Sequence, residues 1–359
     1  MIFLKYGALS IDDLTKEITF KLSEYEKNAI NFCKAWQGGA QEFLLHTSGS
    51  TGIPKTIRLT RDQMQASAVL TQNALNLRQS DHAFVCLNTQ YIAGQMMLVR
   101  GLQIGMDMTI VEPASNPFLN RVHASIDFIA VVPLQLKTIL LNPNAAALIK
   151  YTRNILVGGG PIDKELINSL QVLQGNIYGT FGMTETVSHI ALRKLNGDDQ
   201  SDNYTVVDGI DVAIDHRGCL VVSGAVTNNQ QIITNDLVQL INSRSFKWIG
   251  RADNVINSGG IKIFPEQIEA VIAQLLKECE IENNFFVCGI PDLLLGEQVV
   301  LVLEGNPMDE NKIQKLKERF FTAFNKYQTP KKILFVPEII LTNNKIDRTR
   351  NKLILLEKL

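Results

Sequence analysis

The sequence predicts an α/β fold: a large N-terminal domain of mostly parallel sheet with a β-rich subdomain, followed by a smaller α+β C-terminal domain. Three observations carry this. Short unbroken apolar runs alternate with helical patterns from Met108 to Tyr178, the texture changes after Ala191 to brief strands separated by turn residues, and helices and strands mix again beyond Gly250.

Met108–Glu112 and Asp127–Val132 are apolar without alternation, as strands covered on both faces are, and Phe118–Ile126 and Leu134–Leu141 carry helical spacing. Asn154–Val157, a helix over Asp163–Leu173 and Asn176–Tyr178 continue the rhythm, which predicts parallel strands with helices on both faces. Tyr204–Val207, Cys219–Val222 and Gln231–Thr234 are expected to be short strands. The last stretch predicts a helix over Pro265–Leu276, strands at Phe285–Cys288 and Val299–Leu303, a helix over Asn311–Phe324 and a strand at Ile333–Val336. The domain boundary is expected at Arg251–Asn254, dividing residues 1–250 from 251–359.

A chain of 359 residues has ample length for two domains, and 45% hydrophobic with 20% charged residues excludes a disordered chain. Thirty-five Lys+Arg against 36 Asp+Glu leave a net charge of -1, so no bulk field recruits nucleic acid or anionic lipid. The five cysteines show no CxxC spacing and read as buried thiols in a reducing compartment. Met1–Ser10 is a poor signal peptide, and no apolar run approaches the roughly 20 residues that span a bilayer. A cytoplasmic protein without a membrane span is expected.

Thr47-Ser-Gly-Ser-Thr-Gly52, followed by Ile53-Pro-Lys55, sets small and hydroxyl residues after the apolar run Phe43–Leu45. Such a segment can wrap an anion with N–H groups and hydroxyls; its spacing is not that of a Walker A loop, and a flexible Ser/Gly linker shares its composition. Gly158-Gly-Gly160 closes another strand before Pro161, as backbone packed against a flat ligand would, or as a plain strand-to-helix turn would. Thr180-Phe-Gly-Met-Thr-Glu185 brings an aromatic, a hydroxyl and a carboxylate to a strand end, the three groups a nucleotide needs for base, phosphate and Mg²⁺. Asp236 could accept ribose hydroxyls with Arg251 donating to the same sugar, although isolated residues of these types more often form surface ion pairs. Lys345 stands in a polar tail where a solvated lysine is the ordinary case.

Taken in order, these segments closely resemble the adenylate-forming superfamily of acyl-CoA synthetases, carrier-loading adenylation domains and luciferases, and the resemblance runs from about Leu44 to Arg348. It implies a large N-terminal domain and a small mobile C-terminal domain joined at the hinge position, Asp253. It implies a carboxylic acid, ATP and CoA as small-molecule substrates, with Mg²⁺. Residue by residue, it assigns Thr47, Ser48, Gly49, Ser50, Thr51, Gly52 and Lys55 to the phosphate loop, and Gly158, Gly159, Gly160 and Phe181 to the adenine side. It puts Thr184 on the adenylate phosphate, Glu185 on Mg²⁺, Asp236 and Arg251 on ribose, and Lys345 in the adenylation step. Phe181 stands where Tyr is common and Asn235 where Gly is usual. Fewer than 50 residues precede the phosphate loop, which is expected to shrink the N-terminal domain and to bear on the pantetheine entrance and on homo-oligomer contacts. Gln90-Tyr-Ile-Ala-Gly-Gln95 with Arg100, Thr234-Asn-Asp236, and Thr184-Glu-Thr-Val-Ser188 most resemble the 2-succinylbenzoate–CoA ligases of menaquinone biosynthesis. That likeness gives Arg100 and Ser188 substrate-binding roles; Tyr91 stands where His is common there and Ala93 where Ser is.

Overall fold

The unbroken hydrophobicity of the strands follows from two buried sheet faces. In the computed structural model, which describes residues 1–48, 54–119, 125–342 and 345–358, Ala83 and Val85 of the strand His82–Val85 face one core and Phe84 the other. Phe128 and Ala130 oppose Ile129 and Val131 in the same way, as Leu156 opposes Ile155 and Val157. The two-residue period of a strand sends alternate side chains to opposite faces. Helices Glu24–Gln37, Arg61–Leu75 and Ile92–Ile104 cover one face, and Pro133–Leu141, Pro143–Ile149 and Lys164–Ser169 the other.

Among the described residues the main sheet has 13 strands. Ile2–Leu4, Asp107–Ile110, His82–Val85, Phe128–Val131, Asn154–Val157 and Asn176–Gly182 lie side by side in parallel. Pairing then turns antiparallel through His189–Lys194, Tyr204–Val206, Ser245–Arg251, Ile232–Asn242, Cys219–Gly224 and Ile210–Ile214. The β-rich stretch therefore continues the parallel sheet, because a tight turn folds His189–Lys194 directly onto the last parallel strand. A separate two-stranded hairpin pairs Glu42–Ser48 with Pro54–Thr60.

A second sheet holds Ile256–Ser258, Ile261–Ile263, Phe285–Asp292, Gly296–Glu304 and Lys332–Val336, with helices Pro265–Glu278, Glu310–Ala323 and Arg348–Lys358 against it. Its core residues all lie at or after Ile256, while those of the main sheet end at Trp248. The turn Ala252–Asn254 joins the two.

Helices Glu24–Gln37 and Arg61–Leu75 are absent from the sequence reading although each starts with a reciprocal capping box, Ser23 with Glu26 and Thr60 with Gln63. Ile92–Ile104 also escapes it. The helix expected over Phe118–Ile126 falls mostly outside the described residues, and its described end at Phe118 and Leu119 is a turn. All five cysteines are buried and free, and no helix among the described residues is long and apolar enough to cross a membrane.

Candidate active site

The carboxyl ends of the central parallel strands gather several of the expected residues, as open α/β sheets do at their ligand edge. Gly158 follows the strand Asn154–Val157, and a Cβ there would stand 2.2 Å from Thr180 Oγ1 on the neighbouring strand. Glycine leaves room for the Thr180 side chain to lie against the backbone at this position. Gly159 takes φ +82°, the left-handed region open to glycine, so the chain turns away before Gly160. Phe181 is half-buried and edge-on to Tyr204 and Phe246, with ring centroids 5.5 and 5.2 Å away.

Beyond Gly182 the chain reverses through a strained turn. Val187 has φ 65° and ψ -57°, and the Ser188 amide donates to the Thr186 carbonyl at 2.7 Å, the geometry of a γ-turn. A β-branched residue rarely adopts this conformation. Thr186, fully buried, holds it in place: its Oγ1 accepts from the Met183 amide at 3.1 Å and lies 2.9 Å from the Ser188 carbonyl. Thr184, Glu185 and Ser188 are half-buried along this turn, and Ser188 Oγ reaches the neighbouring helices. Among the described residues the Glu185 carboxylate has no ion-pair or hydrogen-bond partner. Mg²⁺ takes oxygen ligands, usually one or two carboxylates together with substrate phosphates, so a single uncommitted carboxylate beside a hydroxyl fits that ion. No cluster of three candidate ligands exists among the described residues.

Arg100 lies in the helix Ile92–Ile104 and is 3% exposed. Its Nε donates to Thr71 Oγ1 at 3.1 Å and a terminal nitrogen donates to Ser188 Oγ at 2.9 Å. Ser188 Oγ is 2.6 Å from Ser67 Oγ, and Thr71 Oγ1 is 3.3 Å from His189 Nε2. Among the described residues no carboxylate pairs with the guanidinium. Burial draws the Arg100 pKa down to about 9, which leaves it cationic at neutral pH. Burial, with Arg100 alongside, holds His189 well below the usual imidazole range, so this ring is neutral. The structure brings together Arg100 and Ser188, and adds Ser67, Thr71 and His189, which the sequence reading does not name. Ser67 and Thr71 follow Gln63 at four-residue spacing on the buried face of one helix, which the strand turn carrying His189 packs against.

A second constellation forms at the end of the antiparallel half. Asp236 is buried; Trp248 Nε1 donates to it at 3.0 Å and Arg251 at 3.3 Å. Arg251 also donates to Asp253 at 3.0 Å, and Asn235 Nδ2 lies 3.1 Å from both Asp253 oxygens. Arg217 donates to Asn235 Oδ1 at 3.0 Å. The proposed ribose pair and the proposed hinge residue therefore share one guanidinium.

The phosphate-loop residues Gly49, Ser50, Thr51 and Gly52 lie outside the described residues, as do the side chains of Thr47, Ser48 and Lys55; the backbones of Thr47 and Lys55 are cross-strand partners. Lys345 pairs with Thr342 in a short hairpin, and its side chain is likewise outside the description. That hairpin is tied down within the C-terminal unit by Asp347, whose amide donates to the Ile340 carbonyl at 3.0 Å, and by the half-buried ion pair of Arg348 with Glu269.

Known proteins place this architecture. A crystal structure of an acyl-CoA synthetase (AMP-forming)/AMP-acid ligase II-like protein from Dyadobacter fermentans is 43% identical, with 95% of this chain and 97% of that one covered and a TM-score of 0.63. The o-succinylbenzoate CoA synthetase of Bacillus subtilis in complex with the acyl-adenylate OSB-AMP shares the fold, with a TM-score of 0.71, 23% identity and coverage of 86% of this chain and 68% of that one. A 2-succinylbenzoate–CoA ligase of Bacillus cereus is 28% identical over 325 residues, 82% of this chain; the chain spans 66% of that relative's length. The model of the family described as AMP-binding enzyme matches residues 14–225, more than half of the chain. By that match, over the sheet that carries the glycine turn, Glu185 and the Arg100 cluster, the chain belongs to the AMP-binding enzyme family.

Proposed function

We propose that the protein is an AMP-forming acid–CoA ligase that converts 2-succinylbenzoate to its CoA thioester through an acyl-adenylate. The observation that carries the substrate is the buried Arg100 guanidinium, cationic yet without a carboxylate partner among the described residues. Burying a charge is costly unless it is paired. A substrate with two carboxylates can spend one on the reaction and give the other to Arg100, with Ser188 beside it. The 2-succinylbenzoate–CoA ligases among the relatives support the same acid.

In the first half-reaction the acid carboxylate attacks the α-phosphorus of ATP and pyrophosphate leaves. In the second, the CoA thiol attacks the acyl-adenylate carbonyl and AMP leaves. No enzyme nucleophile is needed, and the protein contributes alignment and charge neutralisation. Asp236 and Arg251 take the ribose, Gly158–Gly160 and Phe181 the adenine, and the 47–55 segment the β- and γ-phosphates. Thr184 donates to the α-phosphate, and Lys345 bridges that phosphate and the carboxylate. Mg²⁺, held by Glu185, would offset phosphate charge when bound; a Bacillus subtilis neighbour was solved in complex with ATP and magnesium ion.

The test is mass-spectrometric detection of acyl-AMP after incubation with MgATP and 2-succinylbenzoate, alongside a panel of aryl and alkyl acids. Acyl-AMP from another acid, or loading of a carrier protein in place of CoA, would reassign the substrate. Failure of pyrophosphate exchange with the whole panel would leave a nucleotide-binding module without ligase activity.

A further inference from the structure

Thr71 sits midway along the helix Arg61–Leu75 and is 1% exposed. A hydroxyl has one proton and two lone pairs. The proton goes to the Ser67 carbonyl one turn earlier, at 2.9 Å. One lone pair takes Arg100 Nε–H, so His189 Nε2, 3.3 Å away, must be the donor to the other. This places a proton on His189 Nε2, and burial beside Arg100 keeps the ring neutral. Ser67 repeats the device one turn away: its hydroxyl meets Ser188 Oγ, which in turn accepts from Arg100. Thr71 directly, and Ser67 through Ser188, thus hold a guanidinium on two of its five N–H groups, and the other three have no acceptor among the described residues.

Nothing about core packing asks for a buried row of hydroxyls where apolar residues would serve, and an unfixed guanidinium on a flexible stem would lose bidentate geometry. We propose that Thr71, supported by Ser67 and by His189, is a positioning residue for acid specificity, holding the Arg100 guanidinium in the one orientation that presents its free N–H groups to a substrate carboxylate. This rests on the reading of Arg100 as the partner of the acid's second carboxylate.

The experiment measures kcat/KM in acyl-AMP formation for 2-succinylbenzoate and for 4-oxo-4-phenylbutanoate, which keeps the succinyl carboxylate and lacks the ring one. The ratio of the two values is the readout, since general damage lowers both. Thr71→Val keeps the shape and removes the acceptor, so the ratio should fall about tenfold or more, with the KM for ATP within about twofold of wild type. Thr71→Ser should restore the ratio to within about threefold, and Ser67→Ala should lower it less than Thr71→Val does. If Thr71→Val does not yield folded protein, Thr71→Ala is read in the same way. A wild-type ratio in the valine or alanine variant, or a serine variant as impaired as they are, overturns the Thr71 assignment alone. A wild-type enzyme that does not discriminate between the two acids overturns the Arg100 reading, and one that adenylates neither overturns the substrate; the Thr71 assignment falls with both.

Discussion

Removing the Arg100 guanidinium would deprive the buried Thr71 hydroxyl, the half-buried Ser188 hydroxyl and, on the proposed reading, the acid of a donor. Arg100→Ala should therefore raise the KM for 2-succinylbenzoate by about 10²-fold, the scale of a lost charged hydrogen bond plus its stranded partners, and leave the KM for ATP nearly unchanged. Steady-state kinetics with each substrate varied in turn checks this. His189 makes a prediction about stability. Its folded pKa lies below the value near 6.5 of the unfolded chain, because burial and Arg100 oppose its charge. The unfolded state then binds more protons, so the stabilising contribution is complete above about pH 6.5 and is lost as pH falls toward the folded pKa. Urea unfolding at pH 7.5 and 5.5 should show a loss for wild type that His189→Gln reduces. Arg100 and Ser188 were singled out in the sequence by motifs that resemble those of a ligase family. Ser67, Thr71 and His189 were not, because they act on another side chain and only the packing of two helices against a strand turn brings them together.

Among the elements, those with a plain period were read to within a few residues: Asn154–Val157 coincides with its expectation, and Pro265–Glu278 extends it by two. The helices that escaped have inward faces that do not read as apolar stripes. Ile92–Ile104 is buried nearly all round and so shows no amphipathic period, and Arg61–Leu75 turns Gln63, Ser67 and Thr71 to the core. The Lys345 hairpin belongs to the element scale as well, since the elements that hold it lie in the C-terminal unit. Lys345→Ala should slow adenylation by about 10²-fold or more, judged by donors of similar role, and largely spare thioester formation from preformed acyl-AMP. Asp253, on the turn Ala252–Asn254, is proposed as the hinge that lets Lys345 withdraw before CoA arrives. Asp253→Pro fixes φ near −65° and should impair the thioester half selectively while adenylation is largely retained, which rapid-quench measurement of each half-reaction would reveal. Asn235→Gly removes the two contacts on Asp253 without restricting the backbone, and its effect on that half should be smaller.

Among the described residues of the whole molecule, the main sheet's cores end at Trp248 and the second unit's begin at Ile256, with no residue shared. What crosses between them is sparse and largely polar: Asn254 with Glu266 at 2.6 Å, Gln267 with the Ile249 carbonyl at 3.4 Å, and the exposed ion pair of Lys277 with Glu165. Exposed pairs of this kind contribute about 0–1 kcal/mol each. Calorimetry should therefore resolve two unfolding transitions, of which a bound acyl-adenylate analogue raises chiefly that of the sheet carrying Arg100 and Asp236. Two cores that share no described residue predict that each folds without the peptide bond between them. Cut at the turn Ala252–Asn254, the gene should yield two soluble fragments that reassemble when co-expressed. Their activity should then depend on fragment concentration, as that of a heterodimer does.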